Sequence, residues 1–129
     1  MNTHDVFNQT PPLADFNPFL ADVALQEAVD REGAGSARDA LVERGAEIGS
    51  ARMIALAEAA NRNPPALRLF DATGHRRDVV EFHPAYHELM GYLARHGAAV
   101  GPWAQPAPGA HAARAAFYYL YAQVEGGTL

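Results

Sequence analysis

Apolar residues recur along this chain in two rhythms. Most follow the three-to-four-residue spacing of helices that face a core, and one stretch alternates residue by residue as a strand does. The opening follows neither. Across residues 1–17, Pro11-Pro12 forbid helix, because proline lacks an N–H and disfavours helix in the residue before it. Yet Val6, Phe7, Leu13 and Phe16 are apolar. A free tail has no use for them, so the segment is expected to lie as an extended strap across another surface. That surface is either the rest of a larger protein or a neighbouring subunit.

From residue 18 to 129 the pattern predicts one helical domain with a single hairpin. Asn17-Pro18 joins a good N-cap to the residue suited to the first helical position, and predicts a helix to about Arg31. Phe19 and Val23, with Leu20 and Ala24, form its stripe, and Gly33 and Gly35 end it. A second helix is predicted from Ser36 to about Ala60, with Ser36 and Asp39 as a variant capping box. Inside it, Gly45 and Gly49 share one face, and each glycine costs about 1 kcal/mol relative to alanine there. They mark either the close approach of another helix or a break into two helices. Asn61-Arg62-Asn63-Pro64-Pro65 stops the segment.

Leu67–Phe70 and Val79–Phe82 alternate as strands around the turn Asp71-Ala72-Thr73-Gly74, which predicts a hairpin. A lone hairpin is marginal in water, so it is expected to pack on the helices. His83-Pro84 opens a third helix to about His96, with Leu89, Met90 and Leu93 as its stripe, Tyr86 alongside and Gly97 as its stop. A Gly-, Pro- and Ala-rich loop holds the single Trp, Trp103. The fourth helix is predicted from Ala110 to Glu125, with Phe117, Leu120, Tyr121 and Val124 on one line and Tyr118 and Tyr119 facing elsewhere. A helix apolar on more than one face demands cover on more than one side. That is more cover than the rest of the chain obviously supplies, and the sequence halts at Gly126-Gly127-Thr128-Leu129 with no polar closing segment.

Composition narrows the class. With 49% hydrophobic residues the chain reads as globular, not disordered. Its net charge of -5 argues against nucleic-acid binding by this chain, since that affinity comes from neutralising phosphates. Arg76-Arg77 is the local exception and reads first as solvated hairpin surface. Every Lys/Arg position is Arg, a bias that suits a GC-rich genome. Cysteine is absent, which removes disulfides, thiolate nucleophiles and Cys-based zinc sites. The N-terminus has no basic or apolar signal region, and no apolar run approaches the ~20 residues of a membrane span. A cytoplasmic chain without membrane contact is expected.

Several segments, in order over nearly the whole chain, resemble one family. They are Thr3-His4-Asp5-Val6-Phe7-Asn8-Gln9-Thr10-Pro11-Pro12-Leu13, Ala28-Val29-Asp30-Arg31-Glu32-Gly33-Ala34-Gly35 and Ala60-Asn61-Arg62-Asn63-Pro64-Pro65. Phe82-His83-Pro84-Ala85-Tyr86-His87-Glu88-Leu89-Met90 follows, with Tyr86 where the family has Trp, and then Ala122-Gln123-Val124-Glu125-Gly126-Gly127. The chain is similar to the N-terminal domain of the AidB-like acyl-CoA dehydrogenase family, the adaptive-response flavoproteins. The resemblance implies a mainly α fold: a helical N-terminal domain of acyl-CoA-dehydrogenase type with one small β-hairpin. It implies a parent with FAD, held mostly between a middle β domain and a later helical domain. It also implies a later glutamate base, a homo-oligomer (a tetramer in the parent), and a basic C-terminal domain for DNA. In the parent's chemistry, a carboxylate removes the α-proton of an acyl thioester while hydride passes to the flavin. This first domain would supply fold, subunit contacts and one side of the acyl pocket. No catalytic, cofactor-binding or metal-binding residue is carried over to this chain.

Three groups of residues could carry chemistry, and each has a plainer reading. His83 and His87 have the helical i, i+4 spacing of a metal pair, but Pro84 stands where a metalloprotease pattern needs Glu and no third ligand offers itself. His83 reads first as an N-cap or hairpin-packing residue. Glu81 and Glu88 beside these histidines could form an acid–base pair, yet no nucleophile stands beside them, and a surface hydrogen bond is the plainer reading. Phe117, Tyr118 and Tyr121, with Tyr119, are candidates for a pocket or interface, where the plainer reading is core. Gly126-Gly127 lacks the context of a phosphate loop and reads as a helix C-cap. A stand-alone helical protein-interaction module, docking through the strap and the last helix, remains the alternative to a flavoprotein part.

Overall fold

The computed structural model describes residues 5–128. The first four residues of the strap and the final Leu129 lie outside that range. Seven helices and one hairpin follow the strap in the described chain: α1 Pro18–Ala21, α2 Val23–Arg31, α3 Arg38–Ile48, α4 Ala51–Arg62, β1 Ala66–Phe70, β2 Arg76–Glu81, α5 Pro84–Arg95, α6 Gly101–Ala104 and α7 Ala110–Ala122. No helix among them is long and apolar enough to cross a membrane.

Local chemistry accounts for most starts. Asn17 Oδ1 accepts from the Phe19 and Leu20 N–H groups at 3.0 and 3.2 Å. His83 Nδ1 accepts from Ala85 N–H at 3.2 Å, with Pro84 at the first helical position. The first predicted helix is two. Asp22 leaves helical geometry, and its carboxylate accepts from Leu25 N–H at 2.8 Å, so a new helix starts there. The second predicted helix also divides, at Gly49-Ser50, where Ser50 Oγ accepts from Met53 N–H at 3.2 Å. The Ser36–Asp39 capping box does not form. Residues 35–37 make a short 3₁₀ turn, and Ala37 heads α3 without a side-chain cap.

Both readings of Gly45 and Gly49 are realised. A break follows Gly49, and both glycines admit a close neighbour, namely the end of the strap and the start of α1. A Cβ on Gly49 would overlap the Phe16 carbonyl oxygen, and one on Gly45 would overlap Asn17 Oδ1 and lie 3.0 Å from Phe19 Cβ. Phe16 N–H donates to Gly49 O at 3.3 Å, Ala51 N–H to Asp15 Oδ1 at 2.8 Å, and Asn17 Nδ2 to Val42 O at 2.8 Å. The strap's last residues therefore clamp the α3–α4 junction.

The core lies between α1, α3, α5 and α7 and includes Phe19, Leu41, Ile48, Leu89, Phe117, Leu120 and Tyr121, all fully buried. β1 and β2 pair antiparallel, Leu67 opposite Val80 and Arg68 opposite Val79, with an irregular step before Phe70. Asp71 Oδ1 organises the turn by accepting from Thr73 and His75 N–H groups at 2.8 and 2.9 Å.

The unspent apolar surface sits elsewhere than expected. α7 buries its main apolar line against α2, α3 and α5, and only Tyr119, 53% exposed, stands out among its large side chains. The hairpin is instead bare, with Leu67 58% and Phe70 61% exposed and Val79, Val80 and Phe82 also open. In the strap Phe7 is 94% exposed. The reason is geometric. α7 runs through the middle of the bundle, where neighbours cover several sides at once, whereas the hairpin projects and no element covers either of its faces. The last helix also ends earlier than predicted, at Ala122, and Gln123 is its C-cap in place of Gly126-Gly127.

Candidate functional site

The predicted aromatic group lies on α7 and meets Tyr92 of α5. Tyr121 stacks on Tyr92 with ring centroids 6.2 Å apart and an interplanar angle of 16°, and Phe117 lies 6.0 Å from Tyr92. Tyr121 is buried, and its hydroxyl pairs with Thr128 Oγ1 at 2.9 Å and with Glu125 Oε2 at 3.4 Å. Burial first, and then the nearby Glu125 carboxylate, push the Tyr121 phenol up to about 12.

Glu125 is an acidic side chain buried in the fold. Its oxygens accept from Gly127 N–H at 2.6 Å, from Thr128 N–H at 2.9 Å and from the Thr128 hydroxyl. The carboxylate thus folds the last described residues back onto α7. Among the described residues no buried side-chain polar atom lacks a partner. This network is closed: it ties down a chain end and presents no free acid or base. Sequence reading missed it. Its one signal is a Glu two residues before a glycine and three before a threonine, where chain N–H groups can converge on a carboxylate.

On the other side of Tyr92, its hydroxyl donates to Glu47 Oε2 at 3.0 Å, and burial foremost holds the phenol well above its ordinary value. The same Glu47 oxygen lies 3.7 Å from His96 Nε2. Burial, followed by the Arg44 charge, holds the His96 imidazole below its ordinary value.

The remaining candidates are dispersed. His83 caps α5, while His87 is exposed, with its ring 5.6 Å from Phe82. No group of three or more metal-ligating side chains occurs among the described residues. Glu88 pairs with Arg52 at 2.6 Å and Glu81 with Arg68 at 2.8 Å, so both carboxylates face arginines and not the histidines.

Two hollows border α7. The larger, about 460 Å³, opens where α3, the end of α5, α6 and the start of α7 meet. Phe117, Val100 and Ala113 contribute its apolar wall, with Arg44, Arg95, His96 and Arg114 on its polar side. The smaller, about 290 Å³, is an apolar groove between α2 and α7 lined by Leu25, Ala28, Val29, Ala112, Ala116 and Tyr119 among others. Of the predicted pocket residues, Phe117 lines the larger hollow and Tyr118 and Tyr121 line neither. Tyr118 lies half-buried with the Arg114 guanidinium 4.6 Å from its ring centre.

Residues 8–129 match the family described as "Adaptive response protein AidB N-terminal domain". The chain belongs to this AidB N-terminal domain family. It is 48% identical over 128 residues to the putative acyl-CoA dehydrogenase AidB of Escherichia coli K12, a match covering 98% of this chain and 24% of that protein. The chain thus spans about a quarter of the curated relative. Two solved structures share the fold. Caenorhabditis elegans ACDH-11 in complex with C11-CoA superposes with a TM-score of 0.77 at 20% identity, over 97% of this chain and 22% of that one. The apo form of Bd2924 gives 0.74 at 23% identity, over 90% of this chain and 24% of the other. This AidB-type domain is mainly helical with one antiparallel hairpin, a fold it shares with these two structures.

Proposed function

We propose that this AidB-type domain is the N-terminal helical part of an FAD-dependent, acyl-CoA-dehydrogenase-like protein that acts in the adaptive response to DNA alkylation damage. In that protein it contributes fold, subunit contacts and one side of an acyl pocket, and performs no catalysis alone. The observation that carries this reading is the match over residues 8–129 to a domain that makes up only 24% of its E. coli relative. The bare hairpin and strap support it, because clustered exposed apolar side chains mark surfaces that other protein covers. The groove between α2 and α7 is the surface whose chemistry suits an alkyl chain, being lined almost wholly by aliphatic side chains and Tyr119.

In this reading the flavin site lies outside this chain, and three features are consistent with that. The aromatic rings of the core are stacked on one another, Phe117 carries the Arg44 guanidinium 5.2 Å from its centre, and the glycines form no phosphate-binding loop. No step of a flavin reaction is therefore assigned to this chain. Contact with DNA, in this reading, also belongs to segments beyond it. A chimaera tests the proposal: this chain replaces the matching segment of the E. coli relative. A soluble, yellow oligomer is expected from the chimaera, and a colourless chain from the isolated domain mixed with FAD. A stoichiometric flavin complex of the isolated domain, or a chimaera that folds yet holds no flavin, overturns the proposal.

A further inference from the structure

All ten cationic side chains of this chain are arginines. Six of them, Arg31, Arg38, Arg52, Arg62, Arg68 and Arg76, lie within 4.0 Å of a carboxylate. Among the described residues the other four, Arg44, Arg77, Arg95 and Arg114, make no such pair. Three of those four line one hollow, the 460 Å³ cavity beside α7, and no acidic residue lines it.

These three come from separate elements, α3, α5 and α7, so no local sequence rule gathers them. Acidic residues are not scarce either, since the chain has 15 against its 10 cations. Two carboxylates act on the His96 of the cavity wall: Glu47, which lies 3.7 Å away and takes its hydrogen bond from Tyr92, and Glu43. Two of the guanidiniums are fixed in place. Arg114 Nε donates to Ala98 O, and the group lies over the rings of Tyr118 and Trp103 at 4.6 and 5.3 Å. Arg44 lies 5.2 Å from the centre of the Phe117 ring. Such stacking orients a guanidinium and leaves in-plane N–H groups free to donate. α7 adds to the field. Its N-cap Gly109 offers no side-chain bond and its first turn holds no acid, and Ala110 and Ala113 of that turn line the same cavity.

We infer that this cavity binds the phosphate-bearing end of a small molecule. Three guanidiniums and an uncapped helix start carry more positive charge than the two carboxylates Glu43 and Glu47 neutralise, and the arginine fork matches phosphoryl oxygens. The volume falls within the range of small-ligand pockets, and Phe117 with Val100 supplies an apolar wall for the rest of the molecule. This site is distinct from the apolar groove between α2 and α7 and stands independently of the flavoprotein reading.

Calorimetric titration of the chain with inorganic pyrophosphate at low ionic strength tests the site. Saturable binding is expected, tighter than for orthophosphate and far tighter than for acetate. Arg44→Gln and Arg95→Gln are each expected to weaken it about tenfold, the size of one lost charge-assisted bond. Arg77→Gln, which removes the unpaired arginine on the hairpin, is expected to leave it unchanged. Circular dichroism checks each fold. If Arg44→Gln unfolds, the exposed Arg95 decides alone. Three results overturn the inference: no binding up to about 10 mM pyrophosphate, a range that covers even feeble sites; equal loss in Arg77→Gln, which reduces the effect to general surface charge; or binding only to phosphatidate vesicles, which makes the ligand a membrane.

Discussion

Gly45→Ala sets two effects of known size against each other. In an exposed helix interior the change stabilises by about 1 kcal/mol, because alanine surrenders less backbone freedom. Gly45 is buried in α3, however, and its new methyl would overlap Asn17 Oδ1 and lie 3.0 Å from Phe19 Cβ. To make room Asn17 must withdraw. It then gives up the bonds to Phe19 and Leu20 N–H and the bond from its Nδ2 to Val42 O. Loss of a cap costs about 1 kcal/mol. Forcing a methyl into a packed interface costs about 1–3 kcal/mol more. The penalties exceed the propensity gain, and the net is a destabilisation of about 1–3 kcal/mol. Gly91 in α5 is the internal control, since a Cβ there meets only the mobile end of Arg95 at 3.1 Å. Gly91→Ala should therefore keep most of the propensity gain of about 1 kcal/mol. Urea denaturation of both variants measures the difference, which should reach about 2–4 kcal/mol between them with unchanged slope. A Gly45→Ala protein as stable as the parent would refute the claim that α1 packs against α3 through that glycine.

Tyr121→Phe should lower stability by about 1–2 kcal/mol, because Thr128 and Glu125 lose a buried hydroxyl partner, whereas Leu120→Ala, which opens a core cavity, should cost about 2–5 kcal/mol; urea midpoints measure both, and a Tyr121→Phe protein as stable as the parent would count against a closed Tyr121–Glu125–Thr128 network. The His96 imidazole titrates below its ordinary 6.5 in the folded chain, so the unfolded chain takes up the proton first. Its contribution to stability is accordingly full above about pH 6.5 and is lost as the pH falls through the depressed folded value. Urea midpoints between pH 7.5 and 5 should fall less steeply in His96→Gln than in the parent, and parallel profiles would discard this assignment. Leu67→Ser with Phe70→Ser should cut binding of a hydrophobic dye by the isolated domain and reduce its self-association in sedimentation, because both side chains stand exposed on the hairpin; unchanged dye binding would move the sticky surface elsewhere.

The hairpin, the three longest helical regions and the starts at Asn17 and His83 were legible along the chain. Each depends on chemistry within a few residues: a short polar side chain accepting from an N–H just ahead of it, a proline in the first turn, an apolar stripe of fixed period. Phe117 was also legible as a candidate, and it does wall the larger cavity. The helix breaks were not. Asp22 gives no breaking signal of its own in a stretch that otherwise reads as one helix. The break at Gly49 exists because Asp15 and Phe16, more than thirty positions earlier, bond to its two flanks.

Periodicity and capping therefore settled the longer helices and the hairpin, since those follow from 3.6- and 2-residue repeats and from contacts along the chain; they did not foresee α6 in the loop around Trp103, and Leu20, Val23 and Met90, read as stripe residues, stand exposed. Tertiary packing alone decided three further matters. It hid the aromatic line of α7 and left the hairpin bare, because cover depends on which elements happen to surround each surface. It turned Glu125 inward, because N–H groups of Gly127 and Thr128 converge on its oxygens and satisfy them. And it brought Arg44, Arg95 and Arg114 to one cavity, a meeting between residues so distant in sequence that no local pattern records it.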